Sequence, residues 1–146
     1  MNLNEFKISP KAGDYYNAPS IPTLQVANAG SGSLVPGIVV KLSTMVGEKI
    51  GVEAAAVSDV PYGVIVRSLN KTSYAQYDHL GIARAGDIIW MESTAAAIAA
   101  GDSVEFTTAG KVLKSAGTNK IIGIAVTSVP SAGGLIAIQI TAPYIA

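Results

Sequence analysis

The chain is punctuated too often to build long helices. From residue 34 onward its apolar stretches are short, rich in Val and Ile, and cut by Gly, Pro or Asn. They read "GIVVKLS" (37–43), "KIGVEAAAV" (49–57), "YGVIVRSL" (62–69), "GDIIWMEST" (86–94), "SVEFTT" (103–108), "KVLKS" (111–115), "KIIGIAVTSV" (120–129) and "GLIAIQITA" (134–142). Branched side chains fit a pleated, half-buried surface, and turn residues between such runs set strand length. Ala109-Gly110 is a two-residue hairpin signal, and Gly117-Thr118-Asn119 and Ser131-Ala132-Gly133-Gly134 mark two more turns. The predicted fold class is all-β: a small β-sandwich or β-barrel of about eight short strands. The stretch "YAQYDHLG" (74–81) reads as a loop or a single helical turn.

Residues 1–33 differ in character. Pro10, Pro19 and Pro22, with several Gly, Asn and Ser, break any sustained periodicity, so an extended N-terminal arm without regular elements is expected. The arm is too apolar for a free linker, because it carries Phe6, Ile8, Tyr15, Tyr16, Ile21, Leu24 and Val26. It is expected to dock on another surface. "GSGS" (30–33) reads as a flexible joint, dividing the chain into an arm (1–33) and a β domain (34–146).

Composition closes several routes. There is no cysteine, which excludes disulfides, thiolate metal sites and cysteine nucleophiles. The formal net charge is zero and the cations are scattered, so the electrostatic footprint of direct nucleic-acid binding is missing. No apolar run approaches the roughly 18 residues of a membrane-spanning helix. The N-terminus lacks the basic-then-apolar pattern of a signal peptide. Only 14% of residues are charged and the mean hydropathy is +0.41, against about 25% charged in an ordinary soluble domain. Such a surface is expected to be covered by other protein, as in a subunit of an assembly.

Chemistry-bearing residues do not converge. His79 is the only histidine, and neither it nor its neighbours Asp78 and Ser73 belongs to a nucleophile-elbow motif. Asp87 and Asp102 read as turn residues, and Glu92 and Glu105 as the polar phase of their strands, so a carboxylate pair is not expected. No metal, cofactor or catalytic residue is assigned. Tyr74 and Tyr77, near Arg67 and Lys71, suit a protein interface better than base stacking, given the neutral charge balance. Trp90 alternates with Ile88; it reads first as core packing and second as an interface anchor.

Two internal similarities stand out: "GVIVRS" (63–68) with "GIAVTS" (123–128), and "AGDIIWMES" (85–93) with "AGDSVEFTT" (100–108). They read as recurring strand-entry turns, in which Gly allows the turn and Asp accepts a backbone N–H; duplication of the whole unit stays open. "AAAIAAGD" (95–102) is too short to stand as a helix. It reads as a close-packed crossover whose side chains are small because another backbone or subunit lies near.

The ordered set "PGIVV" (36–40), "YGVIV" (62–66), the Gly-containing strand 81–91, "AAAIAAGDSV" (95–104) with "GKV" (110–112), "IIGIA" (121–125) and "GLIAIQI" (134–140) resembles the small cement or decoration proteins of tailed-bacteriophage capsids. The resemblance covers residues 34–143. It implies a non-enzymatic structural virion protein on the outer capsid surface, made in the host bacterial cytoplasm. Its implied partners are the major capsid protein and neighbouring cement subunits, as a homotrimer or homodimer, with no cofactor, nucleic acid or membrane. On that reading Phe6, Tyr15, Tyr16, Ile21, Leu24, Tyr74, Tyr77 and Trp90 are candidate interface residues. The alternatives are another virion component (a head-fibre base or tail accessory) and a small ligand-binding β module.

Overall fold

The computed structural model describes residues 10–16, 23–68 and 71–141. Phe6 and Ile21 lie outside the described residues. Ten strands appear among the described residues: β1 (Leu24–Asn28), β2 (Val39–Val46), β3 (Lys49–Ala54), β4 (Gly63–Ile65), β5 (His79–Ala83), β6 (Ile88–Ser93), β7 (Ser103–Phe106), β8 (Lys111–Lys114), β9 (Ile121–Ala125) and β10 (Leu135–Ile140). The protein is all-β, with ten strands where the sequence suggested about eight.

The two additional strands are β1 and β5. The first falls in the segment expected to have no regular element, and the second in the stretch read as loop or helical turn. Both expectations are corrected for the same physical reason. β1 and β5 are antiparallel partners, with Val26 opposite Leu80, so each strand is completed by residues far away in sequence. Their flanking Pro, Gly and Asn mimic a loop when read locally.

The strands close into two five-stranded barrels, β1-β3-β2-β4-β5 and β10-β6-β8-β7-β9. Pairing in one reproduces pairing in the other, strand for strand. β1 and β3 are parallel through Ala27↔Gly51 and Asn28↔Val52; β6 and β8 are parallel through Glu92↔Lys111 and Ser93↔Val112. Val40↔Gly63 between β2 and β4 becomes Val104↔Gly123 between β7 and β9. Outside the strands, the bridge Leu34↔Tyr74 becomes Ile98↔Val129. The chain is therefore a structural duplication. Segments 63–68 and 123–128 do occupy equivalent places, on β4 and β9. Segments 85–93 and 100–108 do not, since they form β6 and β7; the counterpart of 100–107 is 36–43.

Side-chain alternation explains how the halves join. Val26, Val40, Val52, Ile65, Tyr74, Leu80 and Ile82 fill the first barrel. Their sequence neighbours Val39, Val64 and Ala83 point the other way and enter a second core with Met91, Val104, Phe106, Val112, Ile136 and Ile138. Opening this seam would expose Val39 and Val64, both 1% accessible or less, at about 1.5–3 kcal/mol each.

Two local expectations are also corrected, the first in part. In "AAAIAAGD" only Ile98 is buried, while the alanines at 95–97, 99 and 100 face outward, so it is not another backbone of this chain that keeps them small. Gly101-Asp102 does turn the chain into β7, with Ala99 N–H donating to Asp102 Oδ2 at 2.9 Å. "GSGS" is tied down rather than loose: Asn28 Nδ2 donates to Gly32 O at 2.9 Å, and Gly30 N–H donates to Asn28 Oδ1 at 3.0 Å.

Candidate functional site

Residues 10–16 form a strap across the two barrels. Gly13 O accepts from Arg67 N in the first barrel, at 2.9 Å. The strap then runs along β6: Gly13 N–H donates to Trp90 O (2.8 Å), Trp90 N–H to Asp14 O (2.8 Å) and Tyr16 N–H to Ile88 O (2.9 Å). Asp14 faces Arg67 at 3.5 Å. Tyr15 packs on the second core, and its hydroxyl lies 2.9 Å from Thr23 Oγ1. Burial raises the Tyr15 pKa above its ordinary value, with the Thr23 bond acting in the opposite direction. The Tyr16 ring rests against Trp90, centroids 5.5 Å apart at 48°, and Tyr16 remains 42% exposed.

The candidate interface residues thus divide. Tyr74 is 3% exposed inside the first barrel, which corrects its reading as a surface contact. Leu24 and Tyr15 pack largely within the chain. Trp90 is half-buried, on the opposite side of β6 from the fully buried Ile89 and Met91. Tyr16, Tyr77 and Trp90 keep surface to offer. Leu42, Met45, Val57 and Val60 also lie exposed around the β2–β3 hairpin. Phe106, the counterpart of Leu42, is 1% exposed. Sequence reading missed this patch because alternation alone assigns Leu42 to an interior.

Among the described residues Tyr77 is the one non-glycine with a positive φ. A single turn design recurs at 11–14, 56–59, 75–78, 84–87 and 99–102: the closing Asp donates its N–H to the first residue's carbonyl. In each turn its Oδ2 accepts the first residue's N–H in return. In three of these turns the third residue is a glycine with positive φ: Gly13 (89°), Gly86 (101°) and Gly101 (95°). In 75–78 that position is Tyr77, with φ 71° and its side chain 63% exposed. A bulky residue there stores about 1–2 kcal/mol of backbone strain. The surroundings enforce it: Tyr77 N–H donates to Asn28 O at 2.7 Å, and Asn28 N–H to Asp78 O at 3.0 Å. Lys71 Nζ bonds Asp78 Oδ2 at 2.8 Å.

Asp78 also reports on the turn. The Lys71 ammonium and then the Ala75 N–H hold its carboxyl below the usual value. A depressed folded-state pKa gives stabilisation that is complete above the unfolded value, about 3.9. It is lost as pH falls through the lower folded value. An NMR titration of Asp78 is expected to give a midpoint below about 3.9, with the Tyr77 amide shift following the same curve, and Lys71→Ala should move both upward. A midpoint at or above the ordinary value would contradict the bonding described.

No group of three or more His, Cys, Asp or Glu among the described residues is placed to hold a metal. Asp78 Oδ2 engages Lys71 and Ala75. Glu105 is 6% exposed, which corrects its reading as a polar-face residue. It accepts from Asn119 Nδ2 at 3.2 Å and Ala116 N at 3.4 Å, tying down the loop after β8.

A family model described as "Structural cement protein (E217 gp24/Pam3 gp6)" matches residues 10–141. The chain belongs to the phage structural cement family. No curated relative matches it. In this cement protein the matched region takes in the strap and both barrels, so the family pattern begins well before the residue-34 boundary of the sequence resemblance.

Proposed function

We propose that this cement protein binds the outer surface of a phage capsid, alongside neighbouring copies of itself, and ties adjacent major capsid protein subunits together against the pressure of packaged DNA. Family membership is the observation that carries the reading. Low charge and the outward-facing Tyr16, Tyr77, Leu42, Met45 and Val60 support it. A protein that binds folded shell and not unfolded chain stabilises the shell by mass action. Many weak contacts on one lattice add through effective concentration.

Tyr77 gives the test. If its strained turn is kept for the sake of the side chain, Tyr77→Gly is expected to stabilise the free protein by about 1 kcal/mol. That corresponds to a rise of roughly 3 °C in Tm. The same variant should lower its co-sedimentation with expanded empty capsids several-fold. Wild-type protein that stays in the supernatant would overturn the capsid reading. Tyr77→Gly that binds as wild type would remove Tyr77 from the interface.

A further inference from the structure

The seam between the barrels joins two unlike surfaces. One is the outer side of the first barrel, where Val39, Val64 and Ala83 lie in a row across β2, β4 and β5 and Val66 packs beside them. The other is the end of the second barrel at its β7–β8 hairpin. Phe106, Ile122 and Ile140 at that end belong to the same core. At the hairpin tip, a Cβ on Gly110 would lie 3.1 Å from Ile38 Cα of the first barrel. The outer face of one unit thus seats the end of the next.

Duplication gives the chain a second version of each surface. Val39↔Val64 corresponds to Ser103↔Ile124, and Val64↔Ala83 to Ile124↔Gln139, so Ser103, Ile124 and Gln139 form the matching row on the second barrel. Ile124 is half-buried there, and Val126, the counterpart of Val66, is exposed beside it. At the matching end of the first barrel Leu42 is 56% exposed where Phe106 is 1%, with Met45 and Val60 exposed around it. A cleft of about 210 Å³ opens between Leu42, Val60, Pro61 and Tyr62. Leu42 lies on β2 and Val60 just before β4, the strands of the closed barrel that do not adjoin β1, so this part of the end is away from the chain's entry at Thr23. Val126 follows β9, with β10 between it and β6, where the strap runs. Charges near both surfaces are paired in place, Lys41 with Asp59 at 3.2 Å and Lys114 with Asp102 at 3.8 Å. Neither pair opposes an apolar contact.

We propose that the first-barrel end of one copy, at Leu42, Met45 and Val60, receives the outer face of the second barrel of another copy, at Ile124 and Val126. The contact is head-to-tail and repeats the seam between molecules. The inference rests on the reading above for its setting, a shell carrying neighbouring copies, and names the faces through which they meet. The occupant follows from the plan of the molecule. An end of this kind is closed by a barrel's outer face; the first barrel's face is taken up in the seam, and the second barrel's stands at the surface. Both surfaces are exposed in the single chain, so a second copy must bring them together. Ser103 and Gln139 stand in place of Val39 and Ala83, which makes this contact weaker than the seam and reversible. Because Gly110 meets Gly37 and Ile38 in the seam, the longer β2–β3 hairpin would meet the neighbour's Gly101, and the outward alanines at 95–97, 99 and 100 leave it room.

Sedimentation velocity on wild-type protein and on two surface variants tests the contact. Wild-type protein should associate reversibly as its concentration rises. Leu42→Asp spoils the receiving end and Val126→Lys the incoming face. Each charge would be buried unpaired in the contact, so each variant should self-associate at least about tenfold more weakly. Mixed in equal amounts, the two should form dimers and nothing larger, because the sound face of Leu42→Asp can seat on the sound end of Val126→Lys. A patch that met its own copy across a two-fold axis would gain nothing from mixing. Wild-type protein that stays monomeric at millimolar concentration, or variants that associate as wild type, would overturn the contact and leave the capsid reading standing. A mixture that stays monomeric would overturn the contact as well. Wild-type protein that self-associates but does not co-sediment with expanded empty capsids would keep the contact and overturn the capsid reading. If Leu42→Asp does not fold, Val60→Asp, at an equally exposed position, takes its place.

Discussion

Gly123→Ala is expected to lower the melting temperature by roughly 9 °C, from a loss of about 3 kcal/mol. At this position β9 and β10 approach so closely that an added Cβ would meet the Gln139 carbonyl oxygen, with the Gln139 carbonyl carbon at 2.8 Å. Both atoms are backbone, so no side chain can swing away; one strand must move. Moving it would strain the Ile138↔Ala125 and Ile140↔Gly123 pairing and the packing of Ile122, Ile138 and Ile140 beside it. The first barrel repeats the arrangement, where a Cβ on Gly63 would lie 2.6 Å from Ala83 O. Gly63→Ala should therefore also destabilise, by less. Thermal unfolding followed by circular dichroism checks the pair. A Gly123→Ala melting point within about 2 °C of wild type would mean the strands separate cheaply.

Asn28→Ala should cost about 3 kcal/mol. Asn28 is fully buried, and its amide joins two loops: Nδ2 donates to Gly32 O at 2.9 Å and to Tyr74 O at 3.1 Å, while Oδ1 accepts Gly30 N–H. Alanine would leave these groups without partners, each at about 1–3 kcal/mol, partly offset where water re-enters near the surface. Because the Asn28 backbone also fixes Tyr77 and Asp78, the loss should spread to the 74–78 turn. Limited proteolysis is expected to begin at 29–34 and 74–78 in the variant and not in wild type. Equal melting points would show that the loops are held by their backbone pairing alone. The counterpart of Asn28 is Ser93, whose hydroxyl bonds both N–H and C=O of Gly134. Both barrels thus place a polar side chain at this corner, with different reach.

What the sequence made legible was whatever its neighbours determine. The strand at 134–142 and the Gly-Asp turns depend on local alternation and on φ at one residue, and both appear as read. A hairpin does form at Ala109-Gly110, but Phe106 pairs with Val112 and Thr107 with Lys111, so its loop is longer than the two residues expected. β1 and β5 depend on each other across most of the first barrel, so Pro22, Gly81 and the polar His79 concealed them. Gly81 is in fact needed within β5, since a Cβ there would meet Thr23 Cγ2 at 2.7 Å. The duplication was hidden for a related reason. Segments 36–43 and 100–107 share little beyond the turn Gly and one inward Val, because a barrel requires side-chain size and direction more than identity. Of the candidate contact residues, Tyr16 and Tyr77 stayed at the surface, whereas Tyr74 was recruited to the core. Periodicity could not separate these cases, because Tyr74 precedes one turn and Tyr77 sits inside it.

The strap has a consequence for how the molecule comes together. Each barrel closes through pairings inside its own half, whereas Gly13 must find Trp90 across a wider span of chain than any pairing within a barrel. Pairings of long sequence separation are slow to form, so the strap is expected to close after the strands of each barrel have paired. Until it closes, Ile88 to Trp90 is a bare strand edge on an otherwise finished body, able to capture the strap of another molecule in place of its own. Refolding at high concentration should therefore yield strap-exchanged dimers that dilute refolding avoids.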